Sequence, residues 1–371
     1  MTPFSALSPR DVDAWVRGLD LPGYRADQVL RWFYRSSAEA FEAMSNLPVG
    51  LRERLSAEFQ FTTVAPEAVS GADAGETRKY LYRLERDGEL LEAVAMHYPG
   101  SARSAERTTV CLSTQVGCAV GCPFCATGQL GLRRNLAAGE IVDQVLVLAR
   151  RERAGGGRVS HLVYMGMGEP LHNVEPTLES ARRFCDPRAL GLSPRRVTIS
   201  TSGVVPGIDR LAAEGGGVNL AVSLHAPVDE LRDTLVPLNR RWPVAQVVAA
   251  ADRYAAATGR RVSFEYVMLR DVNDSPELAG ALGNLLRGRL AHVNLIPYNA
   301  VPGDPYQASS KASIDRFRER LREAGVECTV RDTRGRRIEA ACGQLHASVT
   351  GGQANLTVPS VSGAIIQAPT G

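Results

Sequence analysis

The sequence predicts an α/β protein: a partial (β/α) barrel preceded by a small, mainly helical accessory domain. Three observations carry that expectation. From Val110 onward, β-branched runs alternate with amphipathic helical segments, the pattern of repeated βα units on a parallel sheet. Several predicted strands close on glycine, proline or short polar residues, which in a βα barrel collect at one mouth. Residues 1 to about 60 lack the alternation and read as short helices.

In chain order, the opening segment has a turn at Leu21-Pro22-Gly23-Tyr24 and a helical stretch from Gln28 to Tyr34. Its Trp32, Phe33 and Tyr34 are expected to form a small core rather than a platform for stacking RNA bases. Thr77 to Leu84 and Glu89 to Met96 form a hairpin across Asp87-Gly88. Strands are then predicted at Arg107 to Ser113, Ser160 to Met165, Arg196 to Thr201, Val218 to Leu224, Val262 to Leu269, Ala291 to Pro297 and Val326 to Arg331. Between them, Gly139 to Arg151 sets Ile141, Val145 and Leu148 at i, i+4 and i+7, giving one apolar face, and Val244 to Ala257 and Lys311 to Ala324 read similarly. The strand ends carry Met165-Gly166-Met167-Gly168-Glu169-Pro170, Ser200-Thr201-Ser202-Gly203, Ser223-Leu224-His225-Ala226-Pro227 and Pro297-Tyr298-Asn299. The expected division is an accessory domain at 1–95, a core at 104–337, a cysteine-bearing segment at 338–345 and a disordered tail at 346–371, where charge and periodicity fade.

With 371 residues, 44% hydrophobic and 22% charged, the chain has room for one large and one small domain. No uncharged apolar stretch approaches a spanning length, and the amino terminus lacks the basic start and apolar core of a signal peptide. A cytoplasmic location without a membrane partner is therefore expected. Seven cysteines, three of them in one loop, argue for metal-binding or reactive thiols over an extracellular disulfide framework. Cys185 and Cys328 fall in a predicted helix and strand and are expected to be buried. A net charge of +3 does not announce a nucleic-acid partner. Arg133-Arg134, Arg195-Arg196, Arg240-Arg241 and the run from Arg331 to Arg337 are candidates for phosphate contacts, although any single pair reads first as a solvated face.

The strongest chemical signal is Cys118-Ala119-Val120-Gly121-Cys122-Pro123-Phe124-Cys125. Three soft thiolates in one loop can converge on one inorganic centre and leave its fourth position open. A closed zinc site takes four ligands, usually as two separated pairs. Cys111, seven residues before Cys118, is the candidate fourth ligand of a zinc knuckle. Cys-x-x-x-Cys-x-x-Cys with an aromatic before the last cysteine instead resembles the signature of the radical S-adenosylmethionine (SAM) enzymes. That resemblance implies a [4Fe-4S] cluster on Cys118, Cys122 and Cys125, with SAM on the open iron.

The resemblance sharpens at Cys111, in Thr109-Val110-Cys111-Leu112-Ser113, and at Cys342, in Ala340-Ala341-Cys342-Gly343-Gln344-Leu345. Both match the paired reactive cysteines of the dual-specificity 23S rRNA and tRNA adenine-C2 methyltransferases, and the likeness runs from about Thr77 to Leu345. Chemistry stands beside it. Carbon 2 of adenine lies between two nitrogens and is too electron-poor to attack the methyl of SAM by displacement. A radical route needs a strong reductant, which an iron-sulfur cluster near roughly −400 mV can approach, and a thiolate to hold the methyl group.

The resemblance implies that one SAM methylates Cys342, and that a second is cleaved to a radical that takes hydrogen from the S-methyl group. The carbon radical adds to C2, Glu92 accepts the C2 proton, and Cys111 resolves the adduct by forming a disulfide with Cys342. Two SAM are thus used per turnover. Gly168, Glu169, Ser200, Ser223, Leu224, His225 and Asn299 match positions that line SAM. Read alone, Glu92 is an exposed strand charge and His225 a satisfied structural histidine. The implied partners are the peptidyl-transferase region of 23S rRNA, the adenosine just after the anticodon of tRNA, and a low-potential electron donor of flavodoxin or ferredoxin type, with the protein a monomer. Three other readings stay open: methylation at C8 of the same rRNA adenine, a radical SAM maturase, and a zinc-binding RNA module. Pro170 after Gly168-Glu169, and an accessory domain of full length, favour C2 over C8.

Overall fold

The computed structural model describes residues 1–72, 76–100, 105–299 and 305–331, together with two short strand pieces at 358–359 and 365–366. Ten strands form one sheet: β1 (Val64–Ala72), β2 (Thr77–Leu84), β3 (Leu90–Tyr98), β4 (Arg107–Cys111), β5 (Val159–Tyr164), β6 (Val197–Thr201), β7 (Asn219–Ser223), β8 (Val262–Met268), β9 (Ala291–Pro297) and β10 (Cys328–Val330). Their order in the sheet is their order in the chain. From β4 to β10 every neighbour is parallel, whereas β1, β2 and β3 add to β4 antiparallel. Among the described residues the order is open, so the barrel is partial.

The helices of seven residues or more are α1 (Pro9–Gly18), α2 (Tyr24–Arg35), α3 (Val49–Glu58), α4 (Ala138–Ala154), α5 (Val174–Cys185), α6 (Val205–Glu214), α7 (Asp229–Leu235), α8 (Val244–Thr258), α9 (Pro276–Leu286) and α10 (Lys311–Glu323). Laying each parallel strand beside its predecessor through right-handed crossovers puts the helices on one side and leaves the other face concave. Strand alternation matches that division. Ile199, Leu220, Val222, Phe264, Tyr266, Val293 and Leu295 lie in the apolar core. Ser200, Ser223, Glu265, Val267 and Ile296, on the opposite parity, line a cavity.

The seven predicted βα strands are all present, shorter at some ends. β4 stops at Cys111 because Ser113 turns its hydroxyl to the Glu92 carbonyl at 2.6 Å and accepts from the Met167 amide at 2.8 Å. β1 was not expected, since Pro66 and small residues weaken its strand signal; Pro66 sits in an edge strand at a register shift, where a missing N–H is tolerated. The hairpin forms as expected, but it is bonded into the core sheet through β3 and β4.

The amino-terminal helices gather around aromatic rings that are continuous with the main apolar core. Phe4 packs edge-on against Phe33, Phe41 and Phe59, and Phe33 against Tyr34 and Phe61. Phe33 and Tyr34 are buried, while Trp32 is half-buried against the same core and donates to Asn46. A capping box of Ser8 and Asp11 starts α1. The unit docks on α4, where the Asp143 carboxylate accepts from the Ser5 hydroxyl at 2.7 Å and from Thr63 N–H and Oγ1 at 2.8 Å. Cys328 is buried as expected; Cys185, at the end of α5, is half-buried. Among the described residues no helix is long and apolar enough to cross a membrane. Cys342 and, apart from the two strand pieces, the segment 346–371 lie outside the described residues.

Candidate active site

The loop after β4 is bent by close backbone approaches. Gly117 has φ +77°, and a Cβ there would lie 1.8 Å from the Gly131 carbonyl oxygen, to which the Cys118 amide donates at 3.0 Å. Only glycine fits, so residues 115–117 can pair with 132–135 as a small ribbon and present the next eight residues as one loop. Within it, the Cys125 amide donates to the Cys122 carbonyl at 3.1 Å. Phe124 meets His225 edge-on, with ring centroids 5.0 Å apart.

Cys118, Cys122 and Cys125 line one cavity of about 420 Å³, with Cys111, Gly168, Glu169, Ser200, Ser223, His225 and Asn299 on its walls. That volume suits a small-molecule site. Gly168, with φ +101°, is needed there, because a Cβ would sit 2.6 Å from the Gln115 Cβ. The Glu169 carboxylate accepts from Leu171 N–H at 3.0 Å and from Ser202 N–H and Oγ at 2.7 Å each. Three of its roughly four lone-pair positions are thus filled, leaving one for an ammonium donor. His225 has φ +61°, and its Nδ1 accepts from Val267 N–H at 3.1 Å. Burial, with Arg232 adding repulsion, pushes its pKa down to about 3, so the ring stays neutral. It is both a satisfied histidine and a cavity wall.

Leu224 is the exception in this set. Its side chain is buried in the apolar core, and only its backbone serves the site, the amide donating to the Glu265 carbonyl at 3.0 Å. Glu92 is the clearest correction of a residue read alone. It is 2% exposed and forms an ion pair with Lys79, itself fully buried, at 3.0 Å. The cause is parity: Glu92, Val94 and Met96 share one face of β3, and Val94 and Met96 line the cavity. Cys111 is a free thiol opposite Val94, and burial pushes it up to about 11, with Arg331 acting in the opposite direction.

Several residues of the site were not singled out from sequence. Arg232 of α7 is fully buried and donates to the carbonyls of Leu224 (2.9 Å), Ser202 (2.6 Å) and Ser223 (3.1 Å) and to Asn239 Oδ1 (2.8 Å), tying together the ends of β6 and β7. Nothing in Asp-Glu-Leu-Arg-Asp-Thr-Leu marks it. Glu265 had a signal, a lone charge inside Val-Ser-Phe-Glu-Tyr-Val-Met. The cavity also continues along the inner face of the sheet into a groove walled by Tyr98, Arg107, His161, Arg196, Thr198 and Arg331. Arg107 stacks over Tyr98, 4.2 Å from the ring centre. By contrast, Arg133 and Arg134 are engaged by Glu89, Asp87 and Glu140. Arg241 stacks on Trp242.

A family model described as the radical SAM superfamily matches residues 112–279, which include the three loop cysteines. A second, the ribosomal RNA large subunit methyltransferase N-terminal domain, matches residues 5–60. The sequence is 51% identical over 355 residues to the probable dual-specificity RNA methyltransferase RlmN of Parafrankia sp. (strain EAN1pec), covering 92% of this chain and 90% of that one. The chain belongs to the RlmN family of radical SAM RNA methyltransferases. The corresponding protein of Mycolicibacterium smegmatis is 49% identical over 368 residues, 93% of this chain and 97% of the relative. The crystal structure of a radical SAM methyltransferase from Sphaerobacter thermophilus superposes with a TM-score of 0.88 at 48% identity, covering 93% of this chain and 99% of that one.

As a member of this family the chain is an enzyme, with a [4Fe-4S] cluster and SAM as cofactors and RNA as its class of substrate. The RlmN-type site fits that cluster. Burial raises the thiols of Cys118, Cys122 and Cys125, and Cys118 and Cys125 further raise Cys122. A cationic centre offsets that burden by stabilising the thiolates. Among the described residues no three Cys, His, Asp or Glu side chains are grouped to hold a single ion. A zinc knuckle needs its ligands to meet at one atom, whereas in a cubane each thiolate takes a different corner.

Proposed function

We propose that this chain methylates C2 of adenosine in the peptidyl-transferase region of 23S rRNA and just after the anticodon of tRNA, through an S-methylcysteine at Cys342 and with two SAM per turnover. The observation that carries the proposal is the sharing of one cavity wall by Cys111, the three loop cysteines and Arg331. Cys342 follows Arg331 by 11 residues. At ~3.3–3.6 Å per residue that tether spans up to about 40 Å, ample for Cys342 to reach Cys111.

In this proposal Cys118, Cys122 and Cys125 hold the cluster, and Gly168, Glu169, Ser200, Ser223, Leu224, His225 and Asn299 surround SAM. When bound, cluster and SAM supply the electron, the methyl group and the hydrogen-abstracting radical. Cys342 holds the methyl group as a thioether facing the base. Glu92, kept close to Lys79, receives the proton from C2. Cys111 then attacks the sulfur of Cys342, the S–C electron pair leaves with the methylene carbon, and that carbon takes a proton to become the new methyl group. A two-electron reductant restores both thiols from the transient disulfide. The one electron given up by the adduct returns to the cluster, and a cytoplasmic low-potential donor of flavodoxin or ferredoxin type supplies the electron for SAM cleavage. The enzyme acts as a monomer.

A structured RNA must give up its target base to such a cavity, at a cost of a few kcal/mol. Arg107 and Arg196, exposed on the groove that continues from it, are suited to phosphate contacts that offset the cost. The test is anaerobic turnover of reconstituted protein with methyl-labelled SAM and RNA, followed by nucleoside mass spectrometry. Label in 2-methyladenosine is expected, with a covalent protein–RNA adduct from Cys111→Ala and no transfer from Cys342→Ala. Label in 8-methyladenosine overturns the regiochemistry. Undiminished turnover by both cysteine variants would favour a maturase-type reaction.

A further inference from the structure

Among the described residues two carboxylates line the cavity, Glu169 and Glu265. The first has three donors on its two oxygens. The second is left half-satisfied. Glu265 lies mid-strand on the inner face of β8, in register with Ser223 on β7 and Asn294 on β9. Asn294 Nδ2 donates to Glu265 Oε1 at 2.8 Å, and Thr329 Oγ1 donates to Asn294 Oδ1 at 2.7 Å, which fixes the amide.

Among the described residues Glu265 Oε2 is buried without a hydrogen-bond partner, on a residue only 4% exposed. Its nearest cation, Arg331 Nη1, stands 3.7 Å away, beyond hydrogen-bond range, while the same guanidinium reaches the Met165 sulfur at 3.8 Å. Burial raises this carboxyl and Arg331 lowers it. A desolvated carboxylate oxygen without a donor is destabilising, and one that faces a ligand cavity is explained by the ligand.

We infer that Glu265 Oε2 accepts a hydrogen bond from an adenosine bound in the cavity, through a ribose hydroxyl or the exocyclic amine. The inference rests on the reading that SAM and a target adenosine share this cavity. Both are adenosines, so the same donor chemistry has two sources. Ser223, beside Glu265 in register, ties the position to the proposed SAM wall. Glu265 is then a binding residue that the family motifs do not mark.

Glu265→Gln keeps the size and the Asn294 bond while replacing the free acceptor with a donor. Equilibrium dialysis of reconstituted variant with SAM, without RNA, reads one source. The kcat/KM for RNA carrying either adenosine or purine riboside, which lacks the amine, at the target position reads the other. If SAM is the donor, its Kd rises about ten- to hundredfold, the range for a hydrogen bond to a charged group. If the target base is the donor, SAM affinity holds, kcat/KM falls by that factor, and purine riboside harms the wild type but scarcely harms the variant further.

A variant with wild-type melting temperature that matches the wild type in both assays overturns the inference. Should the variant not fold, wild-type protein is tested with 2′-deoxy- and 3′-deoxyribose SAM, 6-deamino SAM and the purine riboside RNA. Unchanged affinity and turnover for all of them overturns it equally. A wild type that binds SAM but methylates no RNA contradicts the proposed function, while the dialysis arm still decides the role of Glu265.

Discussion

Replacing Glu92 by leucine will separate a structural effect from a chemical one. Lys79 and Glu92 sit on neighbouring strands, Lys79 opposite Val94 and Glu92 opposite Leu81, so they meet diagonally across β2 and β3. Their charged atoms are 3.0 Å apart, with side-chain exposures of 0% and 2%. At that depth each charge loses its 3.0 Å counter-ion when the other is removed, and a loss of about 3–5 kcal/mol is expected for Glu92→Leu or Lys79→Met alone. Removing both takes out the buried pair together, so the double variant should recover about 2 kcal/mol or more relative to the worse single one. Anaerobic urea unfolding followed by circular dichroism measures the three stabilities. RNA methylation should be lost whenever Glu92 is absent, including in the stable double variant. A single Glu92→Leu change within about 1 kcal/mol of wild type would refute the buried-pair argument, and an active double variant would refute the proton-acceptor role.

Three further outcomes follow from the site. Arg232→Gln removes donors from three carbonyls and Asn239, and at about 1–3 kcal/mol for each buried group left unpaired it should lower stability by at least ~3 kcal/mol and weaken SAM binding, read by urea unfolding and dialysis. Arg107→Glu and Arg196→Glu should each weaken RNA binding and reduce the slope of log K against log salt by about one, without altering SAM affinity; a salt slope unchanged in both places the RNA elsewhere. With its thiol pushed up to about 11, Cys111 in a Cys342→Ala background should be alkylated by iodoacetamide about tenfold faster per pH unit from pH 7 to 10, followed by peptide mass spectrometry. A plateau below pH 9 would show a thiolate already formed.

The parallel sheet was legible because β-branched runs and amphipathic helices alternate with clear punctuation, and the cysteine loop because its spacing leaves a coordination position open. Local pattern says less about which face a lone charge takes. Glu92 reads as surface until the β3 register turns it toward Lys79, and Arg232 gives no sign in sequence that it reaches the ends of two strands. The extra strand at Val64–Ala72 was obscured by Pro66, whose tolerance depends on its being at an edge. His225 needed the partner amide of Val267, 42 positions away, before its neutral state could be argued. Each miss involves a contact distant in sequence, which periodicity does not encode.

Turnover with SAM bearing a trideuterated methyl group tests the account at its centre. If Cys342 holds the methyl group while one of its hydrogens is abstracted, the nucleoside released is 2-methyladenosine whose new methyl group carries two deuteriums and one proton. A methyl group delivered with all three deuteriums, or on any other atom of the base, would contradict it.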